Sequence, residues 1–129
     1  MASFDHLLKS YDVDDLLDKV ASTDPPAYLR RCFAEACSAA SLSPDRVQEL
    51  AVCAMILDAI IDDRDYELLE HEMIADWRVH YAGACSHLRA TALEALRRAL
   101  DRDRPQDEDA ARELQELAAR LGERHAATS

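Results

Sequence analysis

The chain has 129 residues and a formal net charge of −11, with 49% apolar residues, four cysteines and only two glycines. That length suits one domain, 1–129, able to bury a core without metal or disulfide staples. So negative a balance argues against binding nucleic acid through its phosphates, which needs a basic face to displace counterions, and points instead to basic partners or cations.

Leu and Ala dominate the apolar half, and two glycines offer little material for the turns of a sheet, so an all-α fold is expected. Phe4, Leu7 and Leu8 suggest a turn or two, and Val13, Leu16, Leu17 and Val20 a short amphipathic helix; together 1–22 reads as a weakly ordered helical start. Asp24 can cap the next helix and Pro25 suits its first position. That helix carries the stripe Leu29, Cys32, Phe33, Ala36, Cys37 and Ala40. Ser43 and Pro44 repeat the starting signal after a linker short enough to make the two helices antiparallel neighbours.

From Val47 to Ile61 the sequence is apolar on nearly every side, which marks a helix surrounded by the others. Asp62-Asp63-Arg64-Asp65 either turns the chain or opens a helix with the stripe Tyr66, Leu69, Met73, Trp77, Tyr81 and Ala84. Helical spacing continues past Gly83 through Leu88, Ala92, Ala95, Leu96, Ala99 and Leu100, as one kinked helix or two. After the polar run 101–106 a last helix carries Ala110, Ala111, Leu114, Leu117, Ala118 and Leu121, and 122–129 reads as a frayed tail. The expected architecture is a compact bundle of about five to six helices with a nearly all-apolar central helix.

Cys32, Cys37, Cys53 and Cys85 show no CxxC spacing and fall in apolar periodic segments, as reduced core thiols do. The N-terminus lacks the basic and apolar regions of a signal peptide, and Leu50–Ile61, interrupted by Asp58, is too short to cross a bilayer. A cytoplasmic protein without membrane contact is expected.

Charge is unevenly spread. Residues 58–76 hold eight acids against one Arg, and residues 77–106 six Arg against three acids. Arg97, Arg98, Arg102 and Arg104 are expected to neutralise part of the acidic region inside the bundle.

Asp58, Asp62 and Asp65, at i, i+4 and i+7, share one helix side if the central helix runs through them. An Asp in so apolar a helix costs on the order of several kcal/mol to ionise in a dry interior unless paired or metal-bound. Mg²⁺ would relieve the mutual repulsion of the three and leave positions open for phosphate oxygens. Alternatively Asp58 pairs with an Arg of a neighbouring helix, Asp62 and Asp63 cap the next helix, and Asp65 faces water.

Glu72, Asp76, His80 and His87 form a second candidate metal stripe, with zinc-type ligands, if Gly83 leaves the helix unbroken; otherwise they are a solvated face. Tyr66, Trp77 and Tyr81 serve a ligand wall or the core equally well by spacing. No GxSxG elbow and no glycine-rich phosphate loop is present.

Asp62-Asp63-Arg64-Asp65 resembles the DDxxD of isoprenoid synthases, which implies magnesium held against a diphosphate, but its third acid stands one place early and no second aspartate-rich helix follows. Glu67-Leu68-Leu69-Glu70 is similar to the ExxE half of all-α nucleotide pyrophosphohydrolases without an ExxD partner. Neither resemblance assigns a family.

With no complete catalytic constellation, the sequence is read as a non-enzymatic interaction module of inhibitor, immunity, adaptor or regulatory type, needing no cofactor. It binds a protein partner, a basic one by charge, through a helical face whose acidic flank includes Asp63, Glu67 and Glu70. The alternatives are a small Mg²⁺-dependent enzyme or ligand-binding protein acting on a phosphorylated compound through Asp58, Asp62 and Asp65, and a homo-oligomeric structural subunit.

Overall fold

Prolines open two of the helices. The structure, a computed structural model, describes residues 6–8, 11–62, 69 and 71–128, with the backbone only at 62, 71 and 123–128. A turn at 6–8 leads to helix α1 (Val13–Ser22), followed by α2 (Pro25–Ser38), α3 (Pro44–Asp62) and α4 (His71–Cys85). A 3-10 turn, Ser86–Leu88, then joins α4 to α5 (Arg89–Arg102), and α6 (Glu108–Thr128) completes an all-α bundle. No strand occurs among the described residues.

Local chemistry explains the starts. Asp12 caps α1, its carboxylate accepting the Asp15 N–H at 3.0 Å. Ser43 does the same for α3 through the Arg46 N–H at 3.3 Å. Asp24 holds the cap position of α2, but its side chain makes no capping bond. Pro25 and Pro26 fill the first two positions, so the second-position N–H that a cap would bind is absent.

Every residue from Leu50 to Ile60 is at most 1% exposed, and α3 packs against α2, α4, α5 and α6. Each large apolar side chain there contributes roughly 1.5–3 kcal/mol relative to exposure. The remaining apolar stripes close around it. Leu16, Leu17 and Val20 come from α1, Leu29 and Phe33 from α2, Leu96 and Ala99 from α5, and Leu114, Leu117 and Leu121 from α6.

Three details go beyond the sequence pattern. α2 stops at Ser38, leaving Ala40 outside it and exposed, because α5 arginines take its last carbonyls: Arg98 donates to Cys37 O at 3.0 Å and Arg102 to Ala36 O at 3.1 Å and to Ala39 O. Arg98 and Arg102 therefore serve the end of α2, and among the described residues their acidic neighbours are Glu94 and Asp103. α4 runs through Gly83, and the break comes three residues later, where Ser86 Oγ donates to Gly83 O at 2.8 Å. Along the α4 stripe Leu69 and Trp77 are buried and Met73 and Tyr81 pack against the core as expected, whereas Ala84 is exposed and Ile74 and Cys85 are buried beside it.

All four cysteines are free thiols, three buried and Cys37 half-buried. No helix among the described residues is long and apolar enough to cross a membrane.

Candidate functional site

The two buried charged residues among those described are Asp58, at 0% exposure, and Arg89, at 8%. Asp58 lies in the last turns of α3 and Arg89 opens α5, two helices that pack together. Arg78 of α4 closes the same end of α3: its Nε and Nη2 both donate to Ala59 O, at 3.2 and 2.9 Å. A guanidinium there satisfies a carbonyl left over at the helix terminus and complements the negative end of the dipole.

α3 extends to Asp62, so Asp58 and Asp62 stand one turn apart on one side of the helix. The side chain of Asp62 lies outside the described residues, as do Asp63, Asp65, Tyr66, Glu67 and Glu70, so the triad and the proposed acidic flank have one described member, Asp58. That member points into the core.

Of the second set, Glu72, Asp76, His80 and His87 are all exposed. Asp76 Oδ1 stands 3.4 Å from His80 Nε2, one turn apart on α4. His87 belongs to the 3-10 turn and leaves the α-helical register of the other three. Among the described residues no group of three or more His, Cys, Asp or Glu side chains is placed to hold a metal ion. Of the aromatic set, Trp77 is a core residue at 5% exposure and Tyr81 packs half-buried against the core.

The outward side of α4 carries Ala75, Val79 and Gly83, each exposed and each four residues from the next. Val79, 81% exposed, is the large hydrophobic side chain left in solvent among the described residues. A Cβ added at Gly83 would meet nothing within 4 Å. Glu72, Asp76 and His80 border this apolar line.

Two further features escaped the sequence pattern. Where α2 packs on α3, Cys32 and Cys53 are both buried, and the neighbouring Cys32 thiol together with burial holds Cys53 well above its ordinary pKa. The same seam holds Tyr28, pushed up to about 12 by burial and the nearby Glu49 charge, and Tyr11, raised further by the same causes. A cleft of about 260 Å³ opens beside it, lined by Tyr28, Arg31, Cys32, Glu35, Arg46 and Glu49. Arg31 lies 5.2 Å from the Tyr28 ring centroid, and Arg46 is 3.4 Å from Glu49 and 3.8 Å from Glu35. The helical stripes did place Cys32 and Cys53 on apolar faces, but which side chains are neighbours across helices depends on tertiary register that periodicity does not carry.

The second feature is the tie that holds down the 6–8 turn. Glu113 of α6 accepts the Leu7 N–H at 2.8 Å and contacts His6 Nδ1 at 3.0 Å, while Gln48 of α3 donates to Leu7 O at 3.1 Å. The hydrogen bond to Glu113, aided by the charges of Asp109 and Asp107, raises the His6 pKa above its ordinary value. Comparison with protein-family models, with curated proteins and with solved structures finds no match for this chain.

Proposed function

We propose that this protein is a non-enzymatic interaction module that binds a basic protein partner through the outer face of α4. The observation that carries the reading is Val79: a branched apolar side chain 81% exposed, in line with Ala75 and Gly83 and bordered by acids. An apolar centre with a charged border is the usual anatomy of a protein interface. The partner's sign follows from the net charge of −11 and from Glu72 and Asp76 on the border, with Asp63, Glu67 and Glu70 just before α4 in the sequence. A reducing compartment, the cytoplasm, suits four free thiols.

The rival reading, Mg²⁺-dependent chemistry on a phosphorylated compound through Asp58, Asp62 and Asp65, requires Asp58 to reach a solvent-borne substrate. Its 0% exposure favours the interaction module instead.

The test is recovery of the tagged chain from its native cells at low salt, with mass spectrometry of co-purifying chains and light scattering of the complex. Support consists of a stoichiometric basic partner that salt releases and that Val79→Asp loses. Burial of a Val is worth roughly 1.5–3 kcal/mol, so the affinity should fall at least about tenfold. The same variant should keep the melting temperature, because the side chain stands in water. Recovery of the chain alone as a monomer, or a partner indifferent to Val79→Asp, overturns the proposal. A mass above one chain with no second species replaces the basic partner with a second copy.

A further inference from the structure

Where the 6–8 turn, the start of α3 and the α5–α6 connection meet, a cleft of about 460 Å³ opens. Leu7, Leu42, Val47 and Ala110 make its walls apolar, and Pro44 and Pro105 fix the backbone at two corners. The 6–8 turn is tied on both sides, its Leu7 N–H donating to Glu113 and its Leu7 O accepting from Gln48. A volume of that size falls in the range of roughly 300–1,000 Å³ typical of small-molecule sites, which combine apolar walls with a few polar groups.

The polar group that stands out is Asp103. It follows the last turn of α5, where its N–H donates to Ala99 O at 2.8 Å and fixes the backbone. Its side chain lines the cleft while only 8% exposed, and its Oδ2 has no hydrogen-bond partner among the described residues. Arg102 Nε stands 3.9 Å away, beyond hydrogen-bond reach, and that guanidinium already donates to Ala36 O and Ala39 O. A buried carboxylate oxygen left without a donor is costly, and an ionised carboxylate can only accept, so whatever completes the site brings a donor. The other charges of the cleft are otherwise engaged or cancel. His6 contacts Glu113 and Asp109, while Arg104 and Asp107 are exposed and opposite in sign.

We propose that this cleft binds a small protonated amine, its ammonium on the Asp103 carboxylate and its hydrocarbon body against Leu7, Val47 and Pro105. The two carboxylate oxygens exchange by rotation about χ2, a broad torsion, so Oδ2 turns to the ligand without movement of the backbone. The chemistry of the site selects this class. A hard metal ion needs about six oxygen ligands, and no group of three or more His, Cys, Asp or Glu among the described residues is placed to hold one. A neutral hydroxyl would satisfy Oδ2 but leave its charge buried and unanswered. The site is independent of the outer face of α4, which contributes none of its lining.

The experiment titrates the isotope-labelled, full-length protein at neutral pH with cyclohexylmethylamine and, separately, with cyclohexylmethanol, the same body without the charge, and follows amide shifts by NMR. The expected result is saturable shifts at Leu7, Val47 and Ala110 with the amine, and binding of the alcohol weaker by at least about tenfold, the margin of a charge-assisted hydrogen bond. Asp103→Asn keeps the shape, removes the charge and should abolish the preference for the amine. Asp101→Asn, at an exposed position of α5, makes the same change in net charge and should keep it. The comparison of amine with alcohol on the wild type decides the matter even if Asp103→Asn folds poorly. No saturable shift at millimolar amine, equal affinity for the alcohol, shifts centred away from the cleft, or undiminished preference for the amine in Asp103→Asn overturns the proposal.

Discussion

Replacing Arg102 by Met should destabilise the bundle through the end of α2 and not through lost charge pairing. The substitution keeps much of the apolar stem and removes the guanidinium that donates to Ala36 O at 3.1 Å and to Ala39 O. A hydrogen bond from a charged donor is worth about 1.5–3 kcal/mol when buried, and about half that where water can replace it, as at this partly exposed site. A cation at a helix C-terminus adds about 0.3–1 kcal/mol. Two weakened bonds and the dipole together give about 2–4 kcal/mol. With an unfolding entropy of about 2.1 cal/mol/K per residue, a chain of 129 residues loses about 4 °C in Tm for each kcal/mol, so Arg102→Met should melt about 7–15 °C lower. Thermal denaturation by circular dichroism reads this directly, and repetition in 0.5 M salt separates the causes. Bonds to neutral carbonyls survive salt, whereas the 3.9 Å contact between Arg102 and Asp103 is screened. Arg102→Lys keeps the charge without the fork and should fall between. A shift below about 2 °C, or one that salt abolishes, refutes the reasoning.

Gly83→Ala should stabilise the protein by about 0.5–1 kcal/mol, raising Tm by about 2–4 °C, because the position is helical and a Cβ there meets nothing within 4 Å. A lower Tm would show that α4 does not run through residue 83. His6 should titrate above the ordinary histidine value by NMR, and Glu113→Gln should bring it down. The sign follows from the raised value: protonated His6 favours the docked N-terminal turn, a contribution complete below the ordinary value and lost as pH rises through the raised one. A midpoint at or below the ordinary value, or no response to Glu113→Gln, counts against that contact.

Most of the helical plan was legible because it rests on local rules. The cap and proline signals at Asp24-Pro25 and Ser43-Pro44 placed two helix starts, and Ala110, Ala111, Leu114, Leu117, Ala118 and Leu121 proved to be the buried face of α6. What periodicity missed depends on partners distant in sequence. The end of α2 is set by Arg98 and Arg102, about sixty residues away. On α4 the expected stripe holds at Leu69, Met73, Trp77 and Tyr81, while Ala84 is exposed and Ile74 and Cys85 join the core, because a segment with little polar contrast does not mark the edges of its buried face. Periodicity left open whether Gly83 breaks the helix; a glycine costs a helix only about 1 kcal/mol, which the surrounding turns offset.

Departures from local rules concentrate around the end of α3 and along α4. A buried Asp58 sits in the most apolar helix, Arg89 is buried at the start of α5, Arg78 spends its guanidinium on a backbone carbonyl, and Val79 faces water one residue further on. Elsewhere among the described residues several exposed charges pair within a turn, as Lys19 does with Asp15 and Arg120 with Glu116. Sequences that agree with their fold at every level break the agreement mainly where something other than folding is selected. Asp58 and Arg89 are buried on α3 and α5, which pack together, and Arg78 ties α4 to the end of α3. If the proposed partner binds at Val79, it meets a face of α4 held to that end of α3, so Asp58→Asn should weaken the salt-sensitive co-purification of the partner even though Val79 itself is untouched.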